Sequence, residues 1–79
     1  MDTIVLTKRA SGGFTALLNG LYVKYFPVAN YETNNDGIRL ITPGGYPIND
    51  SFLPPSAWTI GGVTSFTTIL NVCNALDAL

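Results

Sequence analysis

Phe14-Thr15-Ala16-Leu17-Leu18-Asn19-Gly20-Leu21-Tyr22-Val23-Lys24-Tyr25-Phe26 is two runs of strand-favouring residues set around Asn-Gly. Asn-Gly is the dipeptide that a two-residue type I′ turn prefers, because both central residues of that turn take positive φ. A two-residue turn also fixes the register: Leu18 faces Leu21, Ala16 faces Val23 and Phe14 faces Tyr25. Those six residues form one face, wholly apolar or aromatic, that belongs in a core. The opposite face carries Thr15, Leu17, Tyr22, Lys24 and Phe26. Three of these five are large and apolar, more than a face left to water normally bears. The pattern therefore predicts that both faces of the hairpin are covered.

Before the hairpin, residues 3–7 (Thr-Ile-Val-Leu-Thr) read as a strand ended by Lys8-Arg9-Ala10-Ser11-Gly12-Gly13. After it, Pro27 stops the strand, and residues 28–37 read as a polar, Asn-rich connection. Residues 38–42 (Ile-Arg-Leu-Ile-Thr) follow as a further strand, entered through Asn35-Asp36-Gly37. Residues 43–57 are long for a structureless connection, which marks such a segment as functional or disordered. This one holds Tyr46, Ile48, Phe52 and Leu53 and is stiffened by four prolines. So much apolar surface argues against a free linker and for an extended arm lying on a surface, its own or a neighbour's.

Trp58-Thr59-Ile60 is a last short strand, and Gly61-Gly62 turns the chain toward a helix over residues 65–78, capped by Thr64 or Ser65. Its apolar stripe is Phe66, Ile69, Leu70, Cys73 and Leu76, widened by Val72 and Leu79. Asp77 opposes the helix dipole at the C-terminal end, which predicts fraying of the last turn. The expected fold is α+β: a small antiparallel β-meander of four to five strands with one C-terminal amphipathic helix packed on it, residues 1–79 forming a single domain.

Charge narrows the function classes. Of 79 residues only nine are charged, 11%, against the roughly 25% usual in soluble domains. Lys8, Arg9, Lys24 and Arg39 are the only bases, too few and too scattered for a nucleic-acid surface. No run of 18 apolar residues is present, so no membrane span is expected, and the N-terminus shows no secretory signal pattern. Asn49-Asp50-Ser51 matches a glycosylation acceptor and, without such a signal, reads as chance. One cysteine and no histidine exclude an internal disulfide and the usual zinc sites, and suit a reducing interior. A chain this short buries only about 60–65% of its unfolded surface. With disulfide and metal gone, association with copies or partners is the support that remains.

Candidate chemistry is thin. Residues 32–37 (Glu-Thr-Asn-Asn-Asp-Gly) match the opening of a calcium loop, but Pro43 stands where the bidentate Glu belongs, so they read as a polar turn. Gly61-Gly62-Val63-Thr64-Ser65 lacks the glycine spacing and lysine of a phosphate cradle and reads as a tight turn with a hydroxyl cap. Cys73 has no base to activate it and reads as a structural thiol. The carboxylates Asp2, Glu32, Asp36, Asp50 and Asp77 are scattered over termini, turns and a helix end. No enzyme activity, metal or cofactor is expected. The aromatics carry the opposite weight: Tyr22, Phe26, Tyr31, Tyr46, Phe52 and Trp58 exceed what a small core hides beside Phe14, Tyr25 and Phe66. Tyr and Trp are favoured where proteins meet. Leu17, Tyr22, Phe26, Tyr46, Ile48, Phe52 and Leu53 are the expected protein-interface residues.

Ile60-Gly61-Gly62-Val63-Thr64-Ser65-Phe66-Thr67-Thr68-Ile69-Leu70, then Asn74-Ala75-Leu76, resembles the end of short proteins from tailed-phage structural gene clusters. Those close with a strand, a Gly-containing turn, a Thr/Ser-rich helix start and an Asn-Ala-Leu end. The likeness starts at Ile60 and does not include the hairpin or the arm. It implies a virion component, capsid-decorating or a head or tail accessory protein, assembled in the host cytoplasm. Such proteins bind other protein subunits in many symmetric copies and have no catalytic residues to transfer. The expected function is thus a non-catalytic structural or assembly protein acting through apolar contacts. The alternative is a stand-alone cytoplasmic binding module, an inhibitor or anti-defence protein, that uses the arm to occupy a cleft.

Overall fold

The computed structural model describes residues 2–48 and 51–79, and of Val23 and Lys24 the backbone alone. Asn49 and Asp50, with them most of the acceptor triplet and a piece of the arm, lie outside the described residues. In chain order the elements are β1 (Ile4–Lys8), β2 (Phe14–Leu18), β3 (Leu21–Phe26), β4 (Asn30–Asn34), β5 (Gly37–Ile41), a 3-10 turn (Pro55–Ala57), β6 (Trp58–Ile60) and α1 (Ile69–Asp77). The class is α+β, as the sequence predicts. β1, β2 and β3 form an antiparallel meander, and β6 returns to lie parallel beside β1, giving a sheet ordered β3-β2-β1-β6. β4 and β5 pair as a separate antiparallel hairpin.

The Asn19-Gly20 turn forms with positive φ at both residues, 54° and 81°. Asn19 also ties the hairpin tip to the chain start: its N–H donates to the Thr3 carbonyl (2.8 Å), and its Oδ1 accepts from the Thr3 N–H (2.8 Å). The register departs from the simple one within three residues. Leu18 faces Leu21 and Leu17 faces Tyr22, but Ala16 then faces Lys24, Thr15 faces Tyr25 and Phe14 faces Phe26. A β-bulge leaves Val23 as the extra residue of β3, and Tyr25 and Phe26 change face. Phe26 is therefore fully buried, stacked on Phe14 at 5.4 Å between ring centroids, while Tyr25 turns outward. This corrects the pairing of Phe14 with Tyr25 and removes Phe26 from the interface candidates.

Residues 28–37 are not a plain connection. Asn34 Oδ1 accepts the N–H groups of Asp36 (2.8 Å) and Gly37 (3.2 Å), closing a tight turn between β4 and β5. β4 hides from sequence patterning because only Tyr31 of its five residues is even half-buried. The arm lies on its own domain. Ile38 and Leu53 exchange backbone hydrogen bonds (2.9 and 2.8 Å), and Ile48 N–H donates to the Leu40 carbonyl (3.1 Å). Ile41 and Pro47 form a further bridge, so the arm lines the β5 edge that β4 leaves free. Gly37 makes this possible: a Cβ there would lie 1.9 Å from the Leu53 carbonyl oxygen.

The core lies between the inner face of the four-stranded sheet, β5 with the arm, and α1. Ile4, Leu6, Phe14, Ala16, Phe26, Trp58 and Ile60 of the sheet meet Ile38, Leu40, Leu53, Ala57, Val72 and Leu76. Each large member withdrawn from water contributes about 1.5–3 kcal/mol. The buried Trp58 indole N–H donates to the Leu53 carbonyl at 3.4 Å. The helix begins four residues later than the sequence suggests. Gly61, Gly62 and Ser65 all have positive φ, and Ile60 and Val63 exchange backbone hydrogen bonds (both 3.0 Å), a tight turn that cannot run on as helix. Thr68, and not Thr64 or Ser65, is the N-cap, its Oγ1 accepting from the Asn71 N–H at 3.1 Å. The buried stripe centres on Val72 and Leu76, with Ile69, Cys73 and Leu79 at its margins, and Leu70 points to water.

Candidate functional site: an uncovered sheet face

Alternation along β1, β2, β3 and β6 sends one set of side chains into the core and the other set outward. The ladder pairings line up the outward set in rows. One row runs Thr59, Val5, Leu17, Tyr22 across the whole sheet, and a second runs Thr7, Thr15, Tyr25. Val5 and Leu17 are half-buried and Tyr22 is 65% exposed. None of the three belongs to the core cluster or packs against it. Among the described residues the row thus lies outside the core, and none of its four side chains carries a formal charge. At one end the 9–13 turn curls up to Tyr25: the Arg9 guanidinium lies 4.9 Å over the ring, and the Tyr25 hydroxyl donates to the Gly12 carbonyl at 3.4 Å.

The seven residues expected at an interface are not brought together. Leu17 and Tyr22 stand on the outer face. Phe26 is fully buried and Leu53 is 4% exposed, so both belong to the core. Tyr46 is 74% exposed at the tip of the arm, and Ile48 packs half-buried against the core. Phe52 sits beneath the Arg39 guanidinium, 4.4 Å from ring centroid to cation, and Arg39 also binds Glu32 at 2.6 Å. The arm residues therefore hold the second hairpin together. Sequence reasoning missed Val5 and Thr59. Both lie in runs that read as strands, but only the pairing of β1 with β2 and β6 places them on the row.

The candidate chemistry dissolves into turns and packing. Glu32, Asn34 and Asp36 serve the β4–β5 hairpin through the Arg39 pair and the Asn34 turn. Cys73 is half-buried in α1, and burial pushes its thiol up, away from the thiolate a nucleophile needs. The Tyr31 hydroxyl donates to Asp77 Oδ1 at 2.8 Å, tying β4 to the end of α1. That hydrogen bond, with burial second, pushes the Tyr31 hydroxyl up to about 12. Among the described residues there is no pocket and no cluster of three metal-ligating side chains. Among the described residues no helix is long and apolar enough to cross a membrane. Comparison of the chain with protein-family models, with curated proteins and with solved structures found no match.

Proposed function

We propose that the chain is a non-catalytic structural module that docks on other protein subunits through the outer face of its four-stranded sheet. The observation that carries this reading is the charge-free row of Thr59, Val5, Leu17 and Tyr22 lying outside the core. A sheet face of this composition is ordinarily covered by another layer, and the described residues supply that layer on the inner face. Covering the outer face removes Val5, Leu17 and Tyr22 from water, each large side chain adding at most about 1.5–3 kcal/mol. Repeated over many symmetric copies, small contacts of this kind become firm attachment. The setting we propose is a virion, with the chain as a capsid-decorating or head or tail accessory protein, which the resemblance from Ile60 onward implies. The rival reading, an inhibitor that fills a cleft with a free arm, draws no support from an arm whose Pro47, Ile48 and Leu53 are engaged on β5.

The test is co-expression with candidate capsid, head and tail subunits. The wild-type chain is expected to enter their assemblies in fixed stoichiometry, and Tyr22→Lys to remain outside while staying folded. A wild-type chain that stays outside every such assembly contradicts the reading.

A further inference from the structure

We propose that Asn19 is a site of spontaneous deamidation which the fold holds back, and that its reaction releases the start of the chain from the hairpin tip. Asn19 is the only one of the seven asparagines followed by glycine. Gly20 has no side chain to keep its main-chain nitrogen off the neighbouring amide carbon. Both residues are exposed, and a Cβ built at Gly20 would meet no atom within 4 Å, so water reaches the pair. Asp36-Gly37, the one Asp-Gly pair, is placed differently. Gly37 is buried, and its N–H already donates to Asn34 Oδ1 at 3.2 Å.

The step is a ring closure followed by hydrolysis. The Gly20 nitrogen gives its proton to hydroxide and forms a bond to Asn19 Cγ, and the Cγ–Nδ2 bond breaks. Nδ2 takes a proton from water and leaves as ammonia, so that a five-membered cyclic imide remains. Water then opens the imide at either carbonyl, giving aspartate or isoaspartate. The whole conversion consumes water and releases ammonia, with no oxidant or reductant. It adds one negative charge to a chain whose net charge is −1.

Hydrogen bonds to the chain start hold Asn19 back from this reaction. Its N–H donates to the Thr3 carbonyl (2.8 Å), its Oδ1 accepts from the Thr3 N–H (2.8 Å), and its Nδ2 donates to Asp2 Oδ1 (2.9 Å). The φ of Asn19 is 54°, and a residue in this left-handed region has ψ of about +47°. Such a ψ turns the Gly20 nitrogen to the side of Cα opposite Cβ, out of reach of Cγ. Ring closure therefore waits until the turn opens and the amide leaves Asp2 and Thr3. The product cannot restore what was broken. Aspartate at position 19 sets a carboxylate oxygen against the Asp2 carboxylate, so a hydrogen bond becomes a like-charge contact. Isoaspartate runs the main chain through Cγ, one atom longer, which a two-residue turn pairing Leu18 with Leu21 does not accommodate.

Peptide mapping by mass spectrometry tests this on the purified chain as it ages in mildly alkaline buffer. Three samples are compared: folded wild type, wild type unfolded in guanidinium chloride, and folded Asp2→Ala. Asn19 is expected to convert at least about 10-fold more slowly in the folded chain than in the unfolded one, as passage through local opening requires. Asp2→Ala removes the acceptor of Nδ2 and is expected to convert about 3- to 10-fold faster than folded wild type, with unchanged circular dichroism. Aged wild type, separated from fresh chain by its added charge, is expected to exchange the Thr3 and Asn19 amide hydrogens faster. Equal rates in the folded and unfolded chain, an Asp2→Ala rate no higher than that of wild type, or earlier conversion of another asparagine in the unfolded chain overturns the guarded site. Unchanged amide exchange after conversion overturns the release of the chain start.

Discussion

Gly37 and Gly20 both have positive φ, yet only one has a neighbour in the way. At Gly20 a Cβ meets nothing, whereas at Gly37 it meets the Leu53 carbonyl, which is fixed by the Ile38 N–H and the Trp58 indole. Gly20→Ala should cost about 1 kcal/mol of left-handed strain. Gly37→Ala should cost about 3 kcal/mol, strain plus the loss of the arm from β5. Urea unfolding of the two variants checks the order, and equal costs would mean that the arm does not lean on β5. Tyr31 yields a second residue-scale prediction. Its hydroxyl, bonded to Asp77, holds its proton up to about 12, while an unfolded chain gives it up near 10. The folded state thus binds more protons between those values, so the contribution of Tyr31 is intact below pH 10 and is lost as the pH rises toward 12. Tyr31→Phe should show a smaller fall in urea midpoint over that window than the wild type. An equal fall in both would place the hydroxyl off Asp77.

At the scale of elements, the strands that pack apolar residues on one face were legible, and β2, β3 and β6 match their expected bounds residue for residue. Their partners were not. β4 offers the core little but Tyr31, so hydrophobic periodicity has nothing to register, and its pairing depends on the Asn34 turn. The bulge in β3 was equally hidden, because Tyr25 and Phe26 are both aromatic and either could stack on Phe14. Removing the extra residue tests this directly. Deleting Val23 leaves every observed partner of β2 and β3 in place, so the chain should still fold with Phe26 inside. Loss of the fold would show that the strand needs the bulge's extra twist. At the other end, Thr68→Ala should cost about 1 kcal/mol, the worth of an N-cap, and Thr64→Ala close to nothing. Thermal melts of the two variants separate a helix starting at Ile69 from one starting at residue 65.

For the whole molecule, the scarcity of charge was plain in the sequence, but its place on the surface was not. The expected interface mixed the hairpin with the arm, since Tyr46, Ile48, Phe52 and Leu53 looked too apolar to lie idle. The fold consumes Ile48, Phe52 and Leu53 in covering β5, and the bulge consumes Phe26. What survives is Tyr46, alone on the arm, and Leu17 with Tyr22, which Val5 and Thr59 extend into a row that only the strand order β3-β2-β1-β6 could assemble. The docking proposed for the outer face and the folding done by the inner face make opposite demands on the same strand, and β2 carries both. Leu17→Lys and Ala16→Lys, adjacent residues on opposite faces, are therefore the most direct comparison, with thermal unfolding and entry into assemblies measured on each. The expected result is that Leu17→Lys melts within a few degrees of wild type and stays outside, while Ala16→Lys fails to fold. A Leu17→Lys chain that unfolds, or that assembles as well as the wild type, contradicts the docking face.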